Sequence, residues 1–401
     1  MKNSLFYFLV FLVASALYGQ NQDQSKIKKD TLAETLKPYV SLTPKKDISR
    51  KKMAILLPFN LPLIESDTIN SLTSRLKKDK FLNLTLDFYA GALMAIDSAK
   101  TLEIPVDISI FDSQETKTSS VVLNLILENE LQDFDAIIGP FYQNYIDKTA
   151  DFLMGQKAAI LSPLSKDTGN TFPNLYKTIP SSETLKKAMF DFMISKKGNM
   201  IAVVDKKRES VRQYIQNQYK QVRFAALNEN GSLSVDNLKS LFVKGKTNYV
   251  ILETTNTGMI KWTMNTMVNA MTNYKMQLVI LEPNETLDTD EINFANLTKL
   301  NLMYPSITRE NDSDEAQIFE KEYRKINKVL PNLYATRGFD LTFDTLLRLS
   351  QEKSYSETVA AVATEQVDNR FEYYKTESGG FTNKGVYILY YDTDLKIKKA
   401  K

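Results

Sequence analysis

The sequence predicts an α/β fold: two parallel-sheet sets in series, then helices and a β-rich tail. Three observations carry this. From Lys51 onward, short apolar runs alternate with helical segments of about 10–18 residues, the pattern of βαβ units. The alternation starts again after residue 180. The end, "RFEYYKTESGGFTNKGVYILYYDTDLKI", holds two β-rich runs joined through Gly379-Gly380.

The elements follow in order. "MAILLPF" (Met53–Phe59) is an apolar strand stopped by Pro58. A polar excursion from Ser66 to Lys80 is longer than most loops of α/β units. In "LDFYAGALMAIDSAK", Leu86, Tyr89, Ala92, Leu93, Ile96 and Ala99 recur at helical spacing. "VDISIFDS" alternates as a strand, and "SSVVLNLILENEL" reads as a helix with Ser119 or Ser120 as cap. "DAIIGP" is a strand, "NYIDKTADFLMGQ" a helix, and "AAILSPLS" a strand broken at Pro163. The second set opens with "SETLKKAMFDFMISKK", where Ser182 starts an imperfect capping box. Strand "NMIAVVDK", helix "ESVRQYIQNQYKQ", strand "VRFAAL" and helix "VDNLKSLFVKG", closed by Gly245, come next. Strand "NYVILETTN", helix "MIKWTMNTMVNAMTNY" and strands "MQLVILEP" and "LNLMYPS" complete it. Long helices are expected over Glu315–Val329 and Leu333–Gln351.

With 401 residues, 43% hydrophobic and 25% charged, the composition is that of a globular chain. A net charge of +3, with no basic patch interleaved with aromatics, argues against a nucleic-acid partner. The start, "MKNSLFYFLVFLVASALYGQ", reads as a secretory signal peptide over 1–20, too short to span a bilayer and cleaved near Gly19 or Gln20. Residues 21–50 read as a flexible linker, ending in the basic run "KKDISRKK". No later segment is long and apolar enough to span a membrane. The expected location is the periplasm. Cysteine is absent, so neither disulfides nor a lipidated N-terminal cysteine is available. Histidine is absent too, which excludes a His-based triad and a His/Cys zinc site. "VKGKTN" has Ser240 where a P-loop needs glycine, and it precedes a strand. "DTDEIN" and "NDSDEAQ" lack calcium-loop spacing. No cofactor is expected, and the chain is not expected to be an enzyme.

The order "MAILLPF", "DFYAGALMAIDSA", "FDAIIGPFYQ", "AAILSPLS", "LYKTIPS", "YATRGFDLTFDTL" resembles the type I periplasmic binding fold, with leucine-binding proteins as familiar members. "IIGPFYQNYIDKTADFL" followed by "ILSPLS" is most similar to envelope members, the LpoA-like activators of peptidoglycan synthases and modules carried behind LysM repeats. The resemblance implies two Rossmann-like lobes joined by crossing strands. Lobe 1 would be 51–180 with 305–375, and lobe 2 would be 181–304 with 376–401. It also implies a ligand held at the carboxyl ends of the strands of both lobes.

Candidate ligand residues follow from those strand ends. Phe59 and Asn60 end the first strand. Tyr142, Gln143 and Asn144 open a helix whose free N–H groups suit a carboxylate. Leucine-binding members offer serines there, so Gln143 and Asn144 depart from their pattern. Ser165 and Lys166 follow the next strand, where a cation suits an acidic ligand and a surface lysine explains it as easily. In lobe 2, Asp205 and Thr254-Thr255 occupy equivalent tips, as ligand contacts or as helix caps. In "RGFDLTFDTL", Gly338 would allow close packing, Phe339 would be core, and Asp340 would bond backbone. The methionines of "MIKWTMNTMVNAM" are core or a soft binding face.

Two functions stay open. One is a non-catalytic solute-binding protein for a small polar or amino-acid-like molecule, served by a transporter permease. The other is a cell-envelope interaction module that touches a peptidoglycan synthase.

Overall fold

The computed structural model describes residues 42–69, 72–166, 169–377 and 379–401. The expected signal peptide and linker residues 21–41 lie outside them. Described residues 42–50 are tied down rather than free. Leu42 packs on the core, Lys45 pairs with Glu352 at 2.8 Å, and Arg50 pairs with Asp107 at 2.8 Å.

In chain order the strands are β1 (Lys51–Leu57), β2 (Val106–Asp112), β3 (Ala136–Ile138), β4 (Ala159–Ser162) and β5 (Leu175–Lys177). Next come β6 (Asn199–Val204), β7 (Arg223–Phe224), β8 (Thr247–Glu253), β9 (Lys275–Val279) and β10 (Met303–Ser306). The last are β11 (Thr364–Glu365), β12 (Arg370–Phe371), β13 (Tyr373–Thr376), β14 (Gly379–Asn383), β15 (Tyr387–Tyr391) and β16 (Ile397–Lys399). They form two compact units. Residues up to Pro180 with Asn311–Gly385 make unit 1, and Ser181–Glu310 with Val386–Lys401 make unit 2.

The sheet of unit 1 runs β13-β14-β5-β4-β3-β1-β2, parallel except for β13. Ile55 sits level with Ile110 on one side and Ile138 on the other. Its central strands are apolar throughout because both faces are covered, as parallel sheets require. Met53, Ile55, Leu57, Ile138 and Leu161 pack under helices Lys80–Thr101 and Leu333–Leu349. Ala54, Leu56, Ile137 and Ile160 pack under helices Val122–Leu127 and Gln143–Phe152. The helix pair on the first face touches backbone to backbone. A Cβ on Gly91 would lie 1.8 Å from the Ala335 carbonyl oxygen, and one on Gly338 would lie 2.0 Å from that of Phe88.

Unit 2 repeats the plan in the order β16-β15-β10-β9-β8-β6-β7, parallel except for β15, which pairs antiparallel with both β10 and β16. Ile201, Val203, Val250 and Leu252 face helix Thr257–Ala270. Met200, Ala202, Val204 and Ile251 face helices Ser182–Ser195 and Glu209–Gln218. Met259, Met264 and Met267 are buried in this core, the first of the two readings for the methionine stripe.

Local expectations shift in four places. Ser181, not Ser182, caps the helix that opens unit 2, accepting from the Thr184 N–H at 3.2 Å. "VRFAAL" narrows to the two-residue strand β7. The helix expected to close at Gly245 spans only Val235–Ser240, and Gly245 turns the chain into β8 with φ 79°. The tail divides differently from the expected boundary at 375/376. Strand β14 joins unit 1 by pairing with β5, Phe381 beside Tyr176, while 305–310 stay with unit 2. Only β15 and β16 of the tail enter the unit 2 sheet, because Gly379 and Gly380 (φ 98° and 59°) turn the chain back on β13 first.

Candidate strand-end sites

Unit 1 gathers its candidates at the carboxyl ends of β1, β3 and β4. Asn60 has left-handed φ 56°, and its N–H donates to the Asp112 Oδ1 at 2.9 Å. The Leu61 N–H donates to the other oxygen of Asp112 at 2.8 Å, and the Asn60 Nδ2 donates to the Glu115 carbonyl at 3.2 Å. Asn60 is therefore committed to shaping the strand end. Phe59 stacks edge-on against Tyr89, with centroids 5.1 Å apart.

The segment after β3 carries the decisive arrangement. Gly139 has φ 104°, and a Cβ there would lie 2.5 Å from the Leu56 carbonyl oxygen, so only glycine fits. Past the cis Gly139–Pro140 bond, the chain presents two N–H groups before the helix Gln143–Phe152. Both already have an anion. The Phe141 and Tyr142 N–H groups donate to the Glu115 Oε2 at 2.9 and 2.8 Å, and the Ser113 hydroxyl donates to Oε1 at 2.6 Å. Glu115 is 1% exposed. Burial raises its pKa, against the pull of Ser113 and the two amides. Of the donors that the sequence reading offered to a ligand, the Tyr142 N–H is held by the chain's own side chain, together with the Phe141 N–H before it.

The other residues of this strand end are partly committed as well. Tyr142 stacks on Phe81 at 5.0 Å. The Gln143 Nε2 donates to Asp147 at 2.6 Å, and Asp147 also accepts from the Asn170 N–H at 3.1 Å. Asn144 and Lys166 are exposed, and Ser165 is half-buried. Behind them Arg337 is buried and ties two strand ends together. Its Nε donates to the Pro163 carbonyl at 3.1 Å, its Nη1 to Asn369 at 2.9 Å, and its Nη2 to the Thr178 hydroxyl. Burial pulls its pKa down to about 10.

In unit 2, Asp205 caps a short 3-10 turn. It accepts from the Lys207 N–H at 3.0 Å and from the Thr254 hydroxyl at 3.0 Å. Thr254 is buried, and its hydroxyl accepts from the Asn256 N–H at 2.9 Å. Both are committed to the chain's own groups; the cap of helix Thr257–Ala270 is Asn256, which accepts from the Met259 N–H at 2.9 Å, and Thr255 is exposed. Among the described residues, no group of three or more Asp, Glu, His or Cys could hold a metal ion.

No protein-family model matches the chain, and no curated protein matches it. Solved structures do. A putative branched-chain amino acid ABC transporter from Rhodospirillum rubrum superposes with a TM-score of 0.57, at 11% identity, over 88% of this chain and 100% of that one. The LpoA C-domain from Haemophilus influenzae, a regulator of PBP1A, gives 0.51 at 11% identity, again over 88% and 100%. The fold is that of the type I periplasmic binding proteins. A second LpoA structure from the same organism gives 0.54 at 11% identity, over 88% of this chain and 59% of that one. The type I fold is thus shared by a putative branched-chain amino acid ABC transporter and by LpoA.

Within this type I fold, sequence reasoning set its candidates at strand ends and missed two residues that shape those ends, Glu115 and Arg337. "QET" follows the strand "VDISIFDS" as a connection, and its one usable signal was an acid three positions past the end of β2. Arg337 shares helix Leu333–Leu349 with Asp340, Asp344 and Arg348, and charges recurring at helical spacing among its apolar residues were the available signal.

A third missed group is Glu253, which ends β8. Its Oε1 accepts from the Leu281 N–H at 3.2 Å, and burial pushes its carboxyl up to about 7. The unfolded chain releases this proton near 4.5, so the folded state holds it longer. The contribution to stability is complete below about pH 4.5 and is lost as pH rises to about 7. The Glu253→Gln variant keeps the acceptor and removes the titration. Its stability relative to wild type should rise by on the order of 3 kcal/mol between pH 4.5 and pH 8. Urea melts across this range check it, and parallel curves for the two proteins would refute it.

Proposed function

We propose that this chain is a non-catalytic interaction module of the cell envelope, akin in role to LpoA, working in the periplasm through contacts with a peptidoglycan synthase. The observation that carries this reading is the Glu115 carboxylate seated on the Phe141 and Tyr142 N–H groups. A type I protein that carries amino acids needs vacant donors for the ligand's carboxylate, and here the two amide donors at the end of β3 are filled from within. The other reading is a carrier of a small polar or amino-acid-like solute for a transporter permease. It requires Glu115 to leave two amides and a hydroxyl without their anion.

Removing that carboxylate separates the two. Glu115→Ala should lose about 2–3 kcal/mol of stability, because buried donors lose their acceptor. Formate or acetate should then raise the melting temperature of the variant and leave that of wild type unchanged. Calorimetry of the wild-type chain with free amino acids should show no binding, while addition of the chain should change the rate of a purified peptidoglycan synthase. Micromolar amino-acid binding by wild type, with no effect on the synthase, would sink the proposal.

A further inference from the structure

Away from the strand ends, helices Asp314–Asn327 and Leu333–Leu349 fold back on each other. Phe319 of the first packs against Phe339 of the second, with centroids 4.7 Å apart. Equal steps toward the connection place Ile326 level with Asn332, so residues 328–332 form the tip of a helical hairpin. The hairpin's inner side is buried: Phe319, Tyr323 and Ala335 pack with Met94 of helix Lys80–Thr101.

The tip reverses that pattern. Ile326, Val329, Leu330 and Leu333 are 61%, 57%, 56% and 53% exposed, and Tyr334 is exposed beside them. Single exposed apolar residues are ordinary, but a run of them at one hairpin tip marks a contact surface. The flank is basic. Between 321 and 334 stand Lys321, Arg324, Lys325 and Lys328 against Glu322 alone. Lys325 pairs with Glu322 at 3.1 Å, and the Lys328 Nζ donates to the Lys325 carbonyl at 2.9 Å. From the neighbouring helix, Asp87 accepts from the Asn332 Nδ2 at 2.6 Å. A cationic excess remains around the aliphatic side chains.

That charge selects the occupant. A second copy meeting this tip across a two-fold axis would set like charges against each other, which is unfavourable. An anionic lipid surface suits both features, since aliphatic side chains enter the acyl boundary and cations meet phosphate headgroups. We propose that the hairpin tip docks this chain on an anionic membrane surface, with Ile326, Val329, Leu330 and Leu333 inserted shallowly and Arg324, Lys325 and Lys328 at the headgroups.

The chain has no cysteine, so a label can be placed at one site. Full-length Leu330→Cys carrying an environment-sensitive fluorophore is mixed with vesicles of phosphatidylcholine and phosphatidylglycerol. The emission should shift to the blue and be quenched by lipid-borne nitroxides. The same label at Lys239→Cys, on the exposed surface of unit 2, should not respond. Adding Lys325→Glu and Lys328→Glu should weaken the response of the Leu330 label to the vesicles by roughly tenfold or more. Salt should weaken the wild-type response. Unchanged emission at Leu330→Cys with anionic vesicles overturns the proposal. So does a shift that follows protein concentration without lipid and sediments as a dimer, which would assign the tip to a second copy.

Discussion

Asp344→Ala should lower the free energy of unfolding by about 3–5 kcal/mol, the loss expected when one partner of a buried ion pair is removed. Asp344 and Arg348 lie one helical turn apart in helix Leu333–Leu349, both fully buried. The Asp344 Oδ2 accepts from the Arg348 Nε at 2.7 Å, and its Oδ1 accepts from the Thr364 hydroxyl. The same hydroxyl accepts from the Arg348 Nη2 at 2.9 Å. Without the carboxylate, a guanidinium stays in the core with a hydroxyl as its remaining hydrogen-bond partner there. Thr364 begins β11, so the loss should also loosen the β11–β12 ribbon. Replacing both charges, Asp344→Leu with Arg348→Met, should recover much of the loss, since no lone charge remains buried. Urea denaturation of the two variants beside wild type reads this out. A single variant within about 1 kcal/mol of wild type would show that the pair is not desolvated as described.

Gly338→Ala should cost on the order of 3 kcal/mol or more, at the upper end of overpacking effects. The added Cβ would sit 2.0 Å from the Phe88 carbonyl oxygen and 2.8 Å from its carbon, and backbone cannot rotate aside as a side chain can. Helices Lys80–Thr101 and Leu333–Leu349 would have to move apart along their shared face, opening gaps beside Leu341 and Ala92, both fully buried. Gly155 supplies the control, because a Cβ there meets nothing within 4 Å. Gly155→Ala should stay within about 0.5 kcal/mol of wild type. Equal melting temperatures for Gly338→Ala and wild type would mean that the helices are not in backbone contact.

What the sequence made legible was local. Central strand runs such as "MAILL" and "YVIL" are short and wholly apolar, and the parallel sheets buried on both faces follow from that. The roles expected for "RGFDL" are found: Gly338 gives close packing, and Asp340 accepts from the N–H groups of Val367, Asp368 and Asn369 at 2.9, 3.0 and 2.8 Å. Phe339 is half-buried against Phe319. The candidate site was legible as a set of strand ends and no further. Which donors are free depends on an acid 26 positions away, and no periodicity encodes that pairing. The tail was misdivided for a related reason. "GGFTN" and "VYILYY" both read as strands, but the sheet each joins is set by the turn at Gly379-Gly380 and by pairing with Leu175–Lys177, far back in the chain.

The carboxylate of Glu115 has a consequence for any molecule in solution. Because it is covalently part of the chain, it faces the Phe141 and Tyr142 amides at an effective concentration of mM or above. A dissolved anion at micromolar level competes against that local molarity and loses by orders of magnitude. On the proposed reading, this strand end responds to whatever can move the β2–Val122 connection that carries Glu115, such as a bound macromolecule, rather than to the concentration of a nutrient.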